Sequence, residues 1–185
     1  MQAIELLHNR VSCAQLSAPA PSAQQLEIMY QAAARAPDHG CLKPWRLIVL
    51  EAEQLVKLGA VFLQVQLAKA PDMAIEKQQK IATKTLRAPM IIAVIATVTA
   101  HPKVPEIEQL LSAGCAAHAL ELAAFAQGFG AMWRSGSLMF DESVKSSLKL
   151  SSNEQIIGFL YLGTPKKFRA SSAVNSSDFV SYATL

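Results

Sequence analysis

The feature that most constrains the fold is the longest uncharged apolar run, residues 88–100 (APMIIAVIATVTA). It is too short to cross a bilayer as a helix, which needs about 20 residues. It starts with Ala-Pro and contains several β-branched residues and threonines, which is typical of a strand. Because the apolar residues are continuous rather than alternating, we predict a strand over 90–98 that is covered on both faces.

The rest of the chain supplies the covering layers. Apolar spacing predicts helices over 2–10, from Ser22 to before Pro37, over 53–70, 72–87 and 106–127, and from Asp141 to near 150. Ser22 and Gln25 form a candidate capping box. Three more strands are predicted over 45–50, 131–134 and 156–162. The pattern favours an α+β fold over residues 1–185, with a four- or five-stranded sheet inside a helical shell.

Composition limits the classes of function that the chain could have. Hydrophobic residues make up 51% of the chain and charged residues 17%, so either the core is extensive or a second subunit covers an apolar surface. The net charge of +3 is scattered and does not interleave with aromatic residues, which does not suggest nucleic-acid binding. The N-terminus lacks the apolar segment of a signal peptide. We expect a cytoplasmic protein that is not bound to a membrane, with reduced and mostly buried cysteines.

Signatures of side-chain catalysis are weak. Gly128 and Gly130 follow a helix and precede a strand, the reverse of a dinucleotide-binding loop, so we interpret Gly128 as a helix C-cap. Cys115 and His118 could share a metal on one helix face, but without further ligands a buried structural histidine is favoured and no metal is expected. Chemistry is therefore expected to reside in a cofactor.

Four short polar segments remain as candidate binding segments, and each could instead be an ordinary helix end, loop or turn. Arg10 and Ser12 could bind a phosphate or simply end the first helix. Arg35 and His39 lie in a loop stiffened by Pro37 and Pro44, which is either a binding loop or a solvated one. Residues 133–136 lie at a strand end, the usual place for ligand contacts, and residues 163–166 form a turn with cations that could equally be a plain surface turn.

Six segments together resemble the flavin-dependent nitroreductase family, in its short single-domain branch. They are ELLxNRxS (5–12), RAPDHxxxxPW (35–45), RAPxII (87–92), KVPxxEQxxSAGCAxxA (103–119), AAxAQGFGxxWRSG (123–136) and IxGFLYLGTP (156–165).

The resemblance implies an intertwined homodimer with a central mixed sheet, FMN bound non-covalently at the subunit interface, and reduction by NAD(P)H. A nitro compound, quinone or related electrophile would then be reduced in the same cleft. It also implies site residues. The FMN contacts would be Arg10, Val11, Ser12, Arg35, His39, Trp133, Arg134 and Ser135. The NAD(P)H contacts would be Ala123, Ala124, Phe125, Ala126, Gln127 and Gly128. The choice between NADH and NADPH stays open.

Three positions depart from the pattern of the family. Val11 replaces a basic residue, Ala14 stands where many larger relatives carry a lysine, and Lys43 replaces a glutamine before Pro44-Trp45. Arg35 is therefore our candidate to offset negative charge on the reduced flavin, and phosphate binding would depend on Arg10, Ser12 and Lys166 or Lys167. These departures leave an alternative open, a non-catalytic FMN-binding dimer that carries or senses flavin.

Overall fold

The computed structural model describes residues 2–167 and 170–184. These residues form six α-helices and five strands. The helices are α1 (Ala3–Asn9), α2 (Ala23–Ala33), α3 (Ala52–Lys69), α4 (Ile75–Ala82), α5 (Glu106–Ala126) and α6 (Glu142–Ser147). The strands are β1 (Leu16–Ser17), β2 (Trp45–Glu51), β3 (Met90–Thr97), β4 (Gly130–Arg134) and β5 (Glu154–Pro165).

The strands form one sheet in which β5 is the common partner. It pairs with β3 on one edge and β4 on the other, β1 pairs with its last two residues, and β2 pairs with the far edge of β3. The α+β class and the five-stranded sheet agree with the sequence prediction. The expected mixed sheet is wrong, because all four strand pairs are antiparallel.

The apolar run at 88–100 is confirmed as a strand covered on both faces. Every residue from Met90 to Ala96 is fully buried. Its side chains alternate between two cores. Ile91, Ala93 and Ile95 pack with α3 and α6, on a side that we call the α3 face. Met90, Ile92 and Val94 pack with α2 and α5, on the α5 face.

Most helix predictions are confirmed, including the capping box in which Gln25 and Ser22 bond each other reciprocally. Two helices are shorter than expected. The chain leaves α4 at Ala82 because Thr85 turns inward and its hydroxyl donates to the Leu55 carbonyl at 2.7 Å. It leaves α6 before the positive φ of 55° at Lys149.

By length and composition alone, helix α5 is long and apolar enough to cross a membrane. In its most apolar 18-residue stretch, 44% is buried inside the protein. It also buries the polar side chains of Gln109, Ser112 and Glu121. The Gln109 amide bonds the backbone of Thr99 and the Val104 carbonyl. These contacts are typical of a core helix.

A charged pair joins the start of β2 to the start of β5. Arg46 donates two hydrogen bonds to Glu154, at 2.5 and 2.9 Å, and the Glu154 side chain is 7% exposed. The Arg46 hydrogen bond, with further donors from Ser151 and Thr97, lowers the pKa of Glu154 to about 2 against the cost of burial. The pair ties β2 to β5 across β3.

Replacing Glu154 with Gln should lower the free energy of unfolding at pH 7 by about 1–2 kcal/mol. Since the folded pKa lies below the unfolded value, this stabilisation is present above pH 4.5 and is lost as the pH falls towards 2. Urea unfolding at several pH values should therefore show a steeper loss on acidification for the unmodified protein than for Glu154→Gln. Glu53→Gln, which breaks an exposed pair with Lys57, should have much less effect.

Candidate functional site

A cavity of about 510 Å³ lies where the segment after α1 passes the edge of β4. Its walls are Val11, Ser12, Cys13, Ala14, Gln15, Met132 and Lys167. The Cys13 N–H donates to the Ala131 carbonyl at 2.8 Å, and the Lys166 N–H donates to the Gln15 carbonyl at 3.0 Å. Backbone hydrogen bonds thus hold this segment between β4 and the end of β5, so one wall of the cavity has a fixed backbone.

Arg10 lies just before this wall, next to a buried carboxylate on α5. Its Nη1 is 4.0 Å from Glu121 Oε2, and the Glu121 side chain is only 6% exposed. Burial raises the pKa of Glu121, while Arg10, His118 and the backbone N–H of Trp133 act in the opposite direction. The other oxygen, Oε1, is buried and has no hydrogen-bond partner within the described part of the chain. Glu121 therefore couples Arg10 to the backbone of β4.

Trp133 and Arg134 project to opposite faces of the sheet. The Trp133 ring packs on the α5 face, and its Nε1 donates to the Ile157 carbonyl at 3.4 Å. The ring lies so close to Gly158 that a methyl group there would overlap the indole. Arg134 lies on the α3 face, with its guanidinium carbon 5.2 Å from the centre of the Tyr161 ring. Ser135 is exposed at the end of the strand.

Arg35 and His39 lie at the other half of α5. Their loop is anchored by the Ser112 hydroxyl, which donates to the Pro37 carbonyl at 2.5 Å. His39 Nδ1 is 2.6 Å from Glu108 Oε2. The loop turns sharply, and Gly40, Cys41 and Lys43 all have positive φ. Both Arg35 and His39 are exposed.

Within one chain the two groups of candidates do not meet. Glu108, beside His39, and Glu121, beside Arg10, are about 20 Å apart along the helix axis at about 1.5 Å per residue. Val11, Ser12, Arg10 and Trp133 gather around the edge of β4. Arg35 and His39 can join them only if the site includes a second chain.

The segment from Ala123 to Gly128, predicted to contact NAD(P)H, forms the end of α5. Gly128, with φ of 84°, ends the helix, as expected of a C-cap. The Gln127 amide donates to the Gln25 carbonyl at 3.2 Å and to the Ala123 carbonyl at 3.1 Å. Gln127 thus joins α5 to α2. Ala124 is fully buried, so its side chain packs in the α5-face core.

Two expectations about thiols and imidazoles are wrong. Cys13 is buried, but Cys41 and Cys115 are exposed, and His118 is exposed rather than buried. Cys115 and His118 lie on the side of α5 that faces away from the sheet, together with Ile107 and Leu111, which are 59% and 62% exposed. Among the described residues no group of His, Cys, Asp and Glu could hold a metal ion.

Glu121 was not among the residues predicted from sequence. The available signal was its isolation, because it is the only Asp, Glu, Lys or Arg between Glu108 and Arg134. A single carboxylate in a long apolar helix either faces solvent or serves a buried partner. Only the packing of α1 and β4 against α5 shows that the second case holds.

Glu121→Gln should remove the cost of burying this charge. A raised folded pKa means that folding favours the protonated carboxyl, so the stability of the unmodified protein should decline as the pH rises above 4.5 through the raised value. The free energy of unfolding of the Gln variant should exceed that of the unmodified protein by on the order of 1 kcal/mol at pH 7, and the two should converge below pH 4.5, where the carboxyl is protonated in both states. Glu76→Gln, at an exposed position on α4, is the control and should follow the unmodified protein.

Comparisons with known proteins agree with this architecture. The nitroreductase family model matches residues 7–164. The chain is 43% identical to the Escherichia coli protein named "Putative NAD(P)H nitroreductase YdjA", over 98% of this chain and all of that protein. The fold is similar to a nitroreductase-like family protein from Bacillus cereus, with a TM-score of 0.84, 19% identity and coverage of 99% and 96% of the two chains. It is also similar to the FMN-dependent nitroreductase NfnB from Mycobacterium smegmatis, solved in complex with NADPH, with a TM-score of 0.77, 14% identity and 98% coverage of both chains. This chain belongs to the nitroreductase family of oxidoreductases.

Proposed function

We propose that this protein is a cytoplasmic, homodimeric FMN-dependent NAD(P)H oxidoreductase. The observation that carries the proposal is the cavity of about 510 Å³ beside Arg10, in a chain of the nitroreductase family. A cavity of that volume is within the usual range for small-molecule and cofactor sites. YdjA is named for NAD(P)H, and the fold neighbour NfnB for FMN, which supports the same cofactors here.

The residues around the cavity fit FMN. Arg10 and Lys167 supply positive charge, and Ser12 supplies an exposed hydroxyl, for a phosphate group. Val11, Ala14 and Met132 supply apolar surface for an aromatic ring system. When bound, FMN supplies ping-pong hydride transfer through its N5 atom, from NAD(P)H to a nitro compound, quinone or related electrophile. The chain itself positions the reactants and places cations where negative charge develops.

A second copy of the chain would complete the site. Arg35 and His39 lie at the opposite half of α5 from Arg10, and α5 exposes Ile107, Leu111, Cys115 and His118 along one side. Apolar side chains exposed along one side of a helix are typical of a surface that a partner covers. The C-terminal segment also exposes Val174, Phe179, Val180 and Tyr182, at 56–92%. We infer that α5 packs near its counterpart and that this segment wraps the partner, so that Arg35 of one subunit meets Arg10 of the other.

The decisive experiment separates the enzyme from a flavin carrier or sensor. The alternative draws support from Val11 and Ala14, which line the cavity without charge. The purified protein should be yellow, with the visible absorbance of oxidised flavin. It should bleach anaerobically on addition of NADPH or NADH and recover its colour with a nitroaromatic or a quinone. Bound flavin that neither nucleotide reduces would contradict the enzymatic function and support the carrier.

The shared site makes a sharper prediction for Arg10→Ala and Arg35→Ala. Each variant alone loses a charge-assisted contact worth about 1.5–3 kcal/mol, so FMN binding or flavin reduction should weaken by about 10- to 150-fold. Co-expression of the two variants with different affinity tags should yield a mixed dimer. One of its two sites combines the intact Arg10 of one chain with the intact Arg35 of the other.

The mixed dimer should therefore recover about half of the unmodified flavin occupancy and reduction rate. An in-chain site would give no recovery, since every chain would lack one arginine. Lys80→Ala co-expressed with Arg35→Ala provides the tagged control, because Lys80 is exposed on α4.

A further inference from the structure

Three basic side chains converge on the α3 face near the end of β4. Lys84 and Arg87 lie at the two ends of the 3₁₀ turn Lys84–Arg87, and Arg134 ends β4. Burial lowers the pKa of Lys84, and the charges of Arg134 and Arg87 lower it further. Among the described residues, no carboxylate lies within 4.0 Å of any of the three. The cluster thus concentrates positive charge without a counter-ion in the described chain.

Arg134 is held in a position that leaves a donor unused. Its guanidinium carbon is 5.2 Å from the centre of the Tyr161 ring, which favours a fixed cation over an aromatic face. Its Nε is buried and has no hydrogen-bond acceptor within residues 2–167 and 170–184. A buried guanidinium N–H without an acceptor is costly. An oxygen-bearing anion would remove that cost.

The cavity beside these cations has a cationic lining and room for one oxygen of an anion. Its volume is about 20 Å³, and it is bounded by Lys84, Arg134, Ser135 and Tyr161 on the polar side and by Phe62 and Leu138 on the apolar side. A space of this size holds about one water-sized group, so it would receive one oxygen of a carboxylate or phosphate whose other atoms stay outside. The charged lining groups are cations, and Arg recognises carboxylates and phosphates preferentially.

The cavity also lies next to the candidate FMN site. Met132 lines that site and packs on the α3 face, and Arg134 follows it two residues later on the same strand. Alternate residues of a strand point to one face and lie about 7 Å apart. A molecule that enters the candidate FMN cleft could therefore place an anionic substituent against Arg134 and Lys84.

We propose that Lys84, Arg87 and Arg134 form an oxyanion subsite that receives the carboxylate or phosphate group of a small molecule used at the flavin site. Two sources share this chemistry, namely a carboxylate on the electron acceptor and the 2′-phosphate of NADPH. The choice between these sources rests on the proposed function, whereas the existence of the anion subsite does not.

The first test measures binding without turnover. Protein saturated with FMN is titrated with inorganic phosphate by calorimetry, at constant ionic strength, for the unmodified chain, Lys84→Gln, Arg87→Gln and the control Lys80→Gln. Saturation with FMN keeps the flavin site filled. We expect phosphate to bind about tenfold or more weakly to Lys84→Gln, and to bind unchanged to Lys80→Gln. Arg87→Gln, at an exposed position, should weaken binding in the same direction if Lys84→Gln fails to fold.

Equal phosphate binding in the unmodified protein and both variants, or none in the unmodified protein, overturns the subsite. Neither result depends on whether the protein reduces any acceptor. Conversely, normal phosphate binding in a protein that reduces no acceptor contradicts the proposed function and leaves the subsite supported.

The second test distinguishes the sources. If the acceptor supplies the anion, Lys84→Gln should raise the KM for 4-nitrobenzoate about tenfold and leave the KM for the neutral 4-nitrobenzamide unchanged. If the nucleotide supplies it, Lys84→Gln should slow flavin reduction by NADPH and leave reduction by NADH unchanged. A third result is that Lys84→Gln abolishes phosphate binding and yet leaves unchanged both the KM for 4-nitrobenzoate and the rate of flavin reduction by NADPH. That result overturns the assignment of the ligand to a substrate or nucleotide.

Discussion

The arrangement of the molecule depends on the pairing of β5 along both of its edges. One edge carries β3 and the other carries β4, and the last two residues of β5 pair with β1. This pairing brings the segment after α1, the end of β4 and the turn after β5 to one place, although they are far apart in the chain. The cavity beside Arg10 forms there because the segment after α1 is hydrogen-bonded both to Ala131 of β4 and to Lys166 just beyond β5.

The pleat of β4 then divides the candidate residues between two environments. Trp133 enters the α5-face core, where Gly158 leaves room for its ring. Arg134, the next residue, reaches the α3 face and the Tyr161 ring. The sequence segment that was predicted as one binding motif thus places Trp133 and Arg134 on opposite faces of the sheet. Its members act together only through the backbone or through a ligand at the strand end.

The sequence predicted those features that depend on interactions between neighbouring residues. The apolar run of β3, the capping box at Ser22 and Gln25, and the C-cap at Gly128 were all correctly predicted, because each depends on neighbouring residues. Strand direction, the burial of Glu121 and the exposure of Cys115 depend on elements far apart in sequence, and they could not be predicted from spacing. Residue-by-residue resemblance supplied candidates, but it could not show that Arg35 and Arg10 lie at opposite halves of α5.

The distribution of charge links these observations. The net charge of +3 is small, yet the charged side chains that have no partner of opposite charge are unevenly distributed over the described surface. Glu154 neutralises Arg46, and Glu121 partly offsets Arg10 from within the α5 face. Lys84, Arg87 and Arg134 have no carboxylate within 4.0 Å in the described chain, so the α3 face near β4 is locally cationic. We therefore expect an anionic ligand to be attracted to the α3 side of the proposed cleft, because Glu121 offsets Arg10 on the other side. This asymmetry gives a bound molecule a preferred orientation before any specific contact is formed.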